Sequence, residues 1–155
     1  MVCICPAIGA SANYDDDTSL CAIWRLVEFP KTKRLCRKLK GRILLFDEEQ
    51  LPFVSTLSKR PESVLCAIDG RGTLHFSVTQ YPVTAGKRTD FMERLILDIG
   101  RPIVLLLYSH PNHRNVRICK WQRVNAERIT LVHIPITNLR NLPAECWPFG
   151  GTHAH

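Results

Sequence analysis

The chain has 155 residues, 45% hydrophobic and 23% charged, close to the average for a soluble globular domain. That balance excludes a wholly disordered chain, and it excludes a helical membrane protein: the longest uncharged apolar run, Pro102 to Ser109, is far short of the roughly 20 residues a bilayer needs. Charge is the outlying quantity, with 21 Lys+Arg against 14 Asp+Glu and a formal net charge of +7.

Residues 1–19 are small, polar or acidic, contain Asp15, Asp16 and Asp17, and read as a flexible acidic arm. The apolar stretch near its start has no basic leader and is broken by Pro6 and Gly9, so no signal peptide is expected. Leu20 to Phe29, with Ile23, Trp24, Leu26 and Val27, reads as a strand ended by Pro30. Thr32 to Lys40 is expected as a short basic helix, with Leu35 and Leu39 on one face and Gly41 at its stop. Arg42 to Phe46 reads as a short buried strand, and Pro52 to Ser58 as a helical turn or two.

Ser63–Asp69 and Gly72–Tyr81 read as a hairpin around Asp69-Gly70-Arg71-Gly72. Leu74, Phe76 and Val78 share one face of its second strand; His75, Ser77 and Thr79 share the other. Asp90 to Ile99 is expected as a helix. Asp90 and Glu93 are spaced as a capping box, Gly100 stands at its end, and Phe91, Leu95 and Ile99 form a core stripe. Three strands are then expected: Ile103–Tyr108, apolar throughout and buried on both faces, Val116–Val124 and Arg128–Ile136. The segment after Asn138 reads as irregular, with 150–155 as a flexible tail.

These elements predict one α+β domain over 20–149, a mainly antiparallel sheet packed by one or two helices. Seven cysteines, an odd number, cannot all pair within the chain; several sit in apolar runs, which points to a reducing, cytoplasmic compartment.

The excess charge forms two blocks. Residues 31–60 hold nine bases against Asp47, Glu48 and Glu49. Residues 101–155 hold seven bases against Glu127 and Glu145. The first block is dense: Lys31, Lys33, Arg34, Arg37, Lys38, Lys40 and Arg42 could follow a phosphate backbone and displace its counterions. In the second, Arg114, Arg117, Lys120, Arg123 and Arg128 surround Trp121, an aromatic among bases as in proteins that stack a nucleobase. On a strand, Arg117, Trp121 and Arg123 would share a face. The expected function is therefore a small basic non-enzymatic binding protein for nucleic acid or an acidic protein surface, of the kind found among viral and mobile-element accessory factors, with no cofactor. The oligomeric state does not follow from the sequence.

Three constellations offer chemistry. Leu74-His75-Phe76-Ser77-Val78 and Val132-His133-Ile134-Pro135-Ile136 resemble the His-x-Ser/Thr repeats of the two-histidine phosphoesterases. That resemblance implies an alternative function: an enzyme that acts on a phosphodiester with His75 and His133 as acid and base, and with Ser77 on the phosphate. Pro135 stands where the second hydroxyl should be. Cys3 with Cys5, His110 with His113, and His153 with His155 lack paired knuckle spacing, so no metal site is expected. Finally, Asp69 at a strand end followed by Glu93 in a helix resembles the order of ribonuclease-H-like nucleases. Their third carboxylate is missing after Tyr108, where Ser109, His110 and Asn112 stand, so Asp69 and Glu93 read as turn and cap residues.

Overall fold

The computed structural model describes residues 20, 22–51, 61–108 and 115–134. The expected arm, the helical turns at Pro52–Ser58 and the tail lie outside the described residues.

The first described segment is helical, where a strand was expected. Trp24–Glu28 forms a π-helical turn, and the Phe29 N–H donates to the Trp24 carbonyl. Helix α1 (Phe29–Lys38) continues from it, with Pro30 in its first turn, where the missing N–H has no intrahelical duty. The wide turn hid the helical period. Trp24 and Phe29, five residues apart, both point inward with ring centroids 5.8 Å apart, while Ile23, Leu26 and Val27 stay exposed. Thr32 and Cys36 complete the buried stripe of α1.

After α1 the chain reverses in a tight corner. Lys40 takes a left-handed φ of 52°. Gly41 presses against the entry to a later strand: a Cβ there would lie 2.5 Å from the Pro102 carbonyl oxygen. The Arg42 N–H donates to that same oxygen at 2.8 Å. Gly41 is thus required by close approach rather than by helix termination.

Strands β1 (Arg42–Gln50), β2 (Glu62–Asp69), β3 (Leu74–Gln80), β4 (Ile103–Tyr108) and β5 (Ile129–Ile134) form one sheet in the order β3-β2-β1-β4-β5. β1 pairs antiparallel with β2 and parallel with β4; β2–β3 is antiparallel and β4–β5 parallel. The α+β reading is borne out, and the sheet is mixed. The hairpin turn is the expected one: Asp69 Oδ1 accepts the N–H groups of Arg71 and Thr73 at 2.9 Å, and Gly72 takes a φ of 82°.

Helices cover both faces. Helix α2 (Ala85–Ile99) lays Phe91, Met92, Leu95 and Ile96 on Leu44, Phe46, Leu65, Ala67, Leu105 and Leu107. The π turn and α1 cover the opposite face, packing Trp24, Phe29 and Cys36 on Leu45, Val104, Leu106 and Ile134. β4 is buried on both sides, as its unbroken apolar run requires. The outer face of β3 receives no such cover: Leu74, Phe76 and Val78 are exposed, and His75, Ser77 and Thr79 turn inward.

Several expected elements change: α1 spans Phe29–Lys38 and not Thr32–Lys40, and β1 runs on past Phe46 to Gln50. α2 starts five residues earlier than expected, with Thr84 as N-cap accepting from the Lys87 N–H, so Asp90 is an interior residue and not a cap. Val116–Val124 is helix α3, not a strand. Asn115 caps it by accepting the Arg117 N–H at 2.8 Å, and Ile118 and Trp121 turn one stripe inward. The apparent alternation in this segment came from a helix with a narrow buried stripe. No helix among the described residues is long and apolar enough to cross a membrane.

The corner predicts its own test. Gly41→Ala forces its methyl into the Pro102 carbonyl and should cost about 2 kcal/mol, measured by denaturant unfolding. Gly72→Ala, with open space around it, should cost less, through its positive φ only.

Candidate functional site at the carboxyl ends of β1 and β4

β1 carries three buried apolar residues, Leu44, Leu45 and Phe46, and then turns abruptly acidic at Asp47, Glu48 and Glu49. Alternation sends Asp47 to the side of Leu45, under the π turn and α1, and Glu48 to the side of Phe46, against α2. The two neighbouring carboxylates therefore have different duties.

Glu48 is structural. Arg88 of α2 is buried and donates from Nε to Glu48 Oε2 at 2.7 Å and from Nη2 to Oε1 at 2.8 Å. This fork occupies both carboxylate oxygens and ties α2 to the end of β1. Asp47 accepts the Glu48 N–H at 2.8 Å on Oδ1 and has no ion pair among the described residues.

Across the parallel pair stands Tyr108, at the carboxyl end of β4. Continuing the register of Leu44 with Leu105 and Leu45 with Leu106 puts it beside Asp47. Burial first, and then the negative charges of Asp47 and Glu48, push the Tyr108 phenol up to about 12. It therefore stands neutral beside the carboxylate at any ordinary pH. Cys66 on β2 pairs with Asp47 on the other side; burial and then the Asp47 charge raise its thiol pKa. Asp47, Tyr108 and Cys66 thus form one small cluster.

The residues singled out from the sequence fall elsewhere. His75 is on β3 and His133 on β5, the two edges of the sheet. Four strand spacings separate them, about 19 Å, which removes the two-histidine reading: one phosphate cannot touch both rings. His75 Nδ1 instead lies 3.8 Å from Asp98 on α2, and Ser77 follows it on the same inner face. Asp69 sits at the amino end of β1, opposite Leu44 and far from Asp47. Burial raises its carboxyl pKa, but the N–H bonds from Thr73 and Arg71 and the Arg42 guanidinium outweigh this and hold it below the ordinary carboxylate range. Glu93 on α2 accepts the Trp121 indole N–H at 2.7 Å. Asp69 is thus a turn residue, as read, whereas Glu93 is not the expected cap but the acceptor for Trp121.

The two basic blocks do not converge. Lys31, Lys33, Arg34, Arg37, Lys38 and Lys40 ride on α1 and the corner after it, on one face of the sheet. Arg117, Lys120 and Arg123 ride on α3, which packs with α2 on the other. Arg117 and Trp121 share a helical face, and Arg123 does not. Trp121 is docked on the core and tied to Glu93, so it offers no free stacking face of the expected kind. Arg42 pairs with Asp69 at 3.5 Å, and Arg128 lies in the turn entering β5. Arg114 and the Cys and His pairs considered for metal lie outside the described residues.

No family model and no curated protein matches the chain. Solved structures do. The Mos1 transposase catalytic domain with raltegravir and Mg superposes with a TM-score of 0.53 at 12% identity, over 81% of this chain and 64% of that one. The crystal structure of the catalytic domain of Mos1 mariner transposase gives 0.52 at 12%, over 85% and 66%. The Mos1 paired-end complex with left transposon end gives 0.51 at 10%, over 81% and 44%. This chain spans about two thirds of that catalytic domain and less than half of the chain in the paired-end complex. The shared property is the fold, a ribonuclease-H-like sheet. It overturns the expectation of a small non-enzymatic binding protein, because this arrangement of strands is that of transposase catalytic domains.

Mg or Mn accompanies several of those structures, so the donor set here bears testing against a metal ion. Glu48 is engaged by Arg88, Tyr108 is a neutral phenol, and no group of three possible ligands occurs among the described residues. Asp47 is one oxygen ligand where a pair of hard cations needs several. The described residues do not build a two-metal centre.

The sequence missed Asp47 because its strand was taken to end at Phe46. The available signal was an acidic residue directly after a buried apolar run, where a charge is retained only with a partner or a purpose.

Two measurements test this site. Glu48→Ala strands a buried guanidinium and should cost about 3–5 kcal/mol in unfolding free energy. The tyrosinate absorbance attributable to Tyr108, obtained by difference from Tyr108→Phe, should titrate at about 12 and fall on Asp47→Asn. Since the folded pKa lies above the ordinary 10, this phenol's contribution to stability is complete below pH 10 and lost as pH rises toward 12.

Proposed function

We propose that this chain is a DNA-acting domain of the transposase kind, with its chemical centre at the carboxyl ends of β1 and β4. The observation that carries this reading is the position of Asp47. It makes no ion pair among the described residues and stands on the central strand just past the last paired residues of β1 and β4, beside the point where the sheet changes from antiparallel to parallel neighbours. In sheets with parallel strands, ligands sit in the crevice outside the carboxyl ends at such a switch. The fold supports a DNA phosphodiester as the substrate class, since its likenesses are transposase catalytic domains, one of them solved with a transposon end. Asp47 is the acid–base group of this centre: its carboxylate can take the proton of an attacking water as the new P–O bond forms and the scissile P–O bond breaks, the released DNA hydroxyl taking its proton from solvent. The neutral phenol of Tyr108 beside it can donate a hydrogen bond to a phosphate oxygen without adding repulsion.

The histidine-based alternative is withdrawn, and so is the accessory-factor role. Nucleic acid is the partner retained from the sequence reading.

Supercoiled plasmid, incubated with the full chain both in EDTA and with Mg or Mn, should be nicked. Asp47→Asn should lower the rate at least about 100-fold, the scale of acid–base catalysis, while circular dichroism and melting stay near those of the parent. Nicking that survives Asp47→Asn at the parental rate, or no cleavage under any of these conditions, would sink the assignment.

A further inference from the structure

The sheet carries opposite charge at its two ends, and the basic end is built rather than merely composed. Helical spacing places Lys33, Arg37 and Lys40 along one side of α1 and its corner. Arg101 belongs to the turn after α2, sixty residues further on, and did not figure among the bases singled out from the sequence. Gly41 brings the two segments together. Its lack of a side chain lets the corner lie on Pro102, and the Arg42 N–H closes on the Pro102 carbonyl at 2.8 Å. The result is a shallow open groove lined by Lys33, Arg37, Lys40 and Arg101 over a floor of Cys36 and Ile43. Among the described residues, no carboxylate lines it. The four cations are exposed and make no ion pair among the described residues; Lys33 lies 4.6 Å from the Phe29 ring centroid, and Arg37 donates to the Lys33 carbonyl. Four unpaired cations around one concavity raise the local potential well above what the average charge implies.

We infer that this groove is a second nucleic-acid contact, a clamp for the phosphate backbone of duplex DNA flanking the position of chemistry. This rests on the reading that the domain acts on DNA. Ile43 in the groove floor and Asp47 lie on the same side of β1. Arg42 and Asp47 are five residues apart along the strand, about 17 Å, or roughly five base pairs of duplex. A duplex held in the groove therefore reaches the acidic end with a short flanking arm. The cations fix its position, and Asp47 meets a phosphate farther along. An isolated phosphate monoester or an acidic protein would satisfy the charge but gains nothing from that spacing. The bases of α3 take no part, because they lie on the opposite face of the sheet.

The test is duplex binding by fluorescence anisotropy over a range of salt, in EDTA, with three full-length proteins. These are the parent, a groove variant (Lys33→Gln, Arg37→Gln, Lys40→Gln, Arg101→Gln) and an opposite-face variant (Arg117→Gln, Lys120→Gln, Arg123→Gln). Each lost phosphate contact should flatten the slope of log affinity against log salt by about 0.9, so the groove variant should lose about 3.6 and bind at least about tenfold more weakly. The opposite-face variant should keep the parental slope. Arg101→Gln as a single change should lose about 0.9, which keeps the test available if the fourfold variant does not fold. A groove variant with the parental slope, or equal losses from both faces, overturns the clamp and leaves Asp47-dependent nicking standing. A parent protein that binds no duplex at low salt overturns the clamp together with the DNA-acting reading.

Discussion

The parallel pairing of β1 with β4 is the constraint on which the rest of the structure depends. A parallel pair of apolar strands must be covered on both faces, because neither side can be left to water. Leu44, Phe46, Leu105 and Leu107 turn one way; Leu45, Val104 and Leu106 turn the other. The chain meets this demand with α2 and α3 on one side and the π turn with α1 on the other. The antiparallel hairpin β2–β3 needs one covered face only, and it receives one. The exposed row of Leu74, Phe76 and Val78 marks where the double-sided cover stops.

The same constraint makes the site. Where a buried parallel pair ends, the residues at that end leave the core together. Asp47 and Tyr108 stand at that point. The pairing of Arg88 with Glu48 then separates two adjacent carboxylates by role, holding one as a fastening between helix and strand while the other makes no ion pair among the described residues. A lone carboxylate beside a phenol that burial keeps neutral is a low-charge arrangement, quite different from a cluster of acids around metal ions.

The central and C-terminal apolar runs were legible because their residues have one role each. The hairpin at Asp69 to Gly72, the stripe Phe91, Leu95 and Ile99, and the fully buried β4 all carry a pattern that a single physical reason explains. Reading failed where two reasons overlapped. In residues 23–29 a π turn changed the helical period and left three apolar side chains in water, so the run looked like a strand. In Val116–Val124 one narrow buried stripe on an otherwise exposed helix imitated alternation. Glu93 was taken as a cap because its spacing from Asp90 fitted, while its partner, Trp121, comes from a helix that was not foreseen. The site itself was hidden because it depends on which strands are neighbours. Nothing local to Asp47 says that β4 lies beside it, and nothing local to His75 and His133 says that the whole sheet lies between them.

The charge pattern changes meaning once the strands are placed. Read along the chain, two basic blocks suggested one surface in two parts. In the fold α1 and α3 carry their bases on opposite faces, and the groove is formed by bases of the first block with Arg101, the first base of the second. The acids that follow it in sequence, Asp47 to Glu49, end up at the far end of the same strand. Nine residues of β1 thus run from the basic end to the acidic end of the sheet. A polyanion approaching this face meets the exposed cations of the groove at one end and the acids Asp47 to Glu49 at the other. The polarity is a direct consequence of β1 being straight, central and flanked by α1, and the +7 average conceals it.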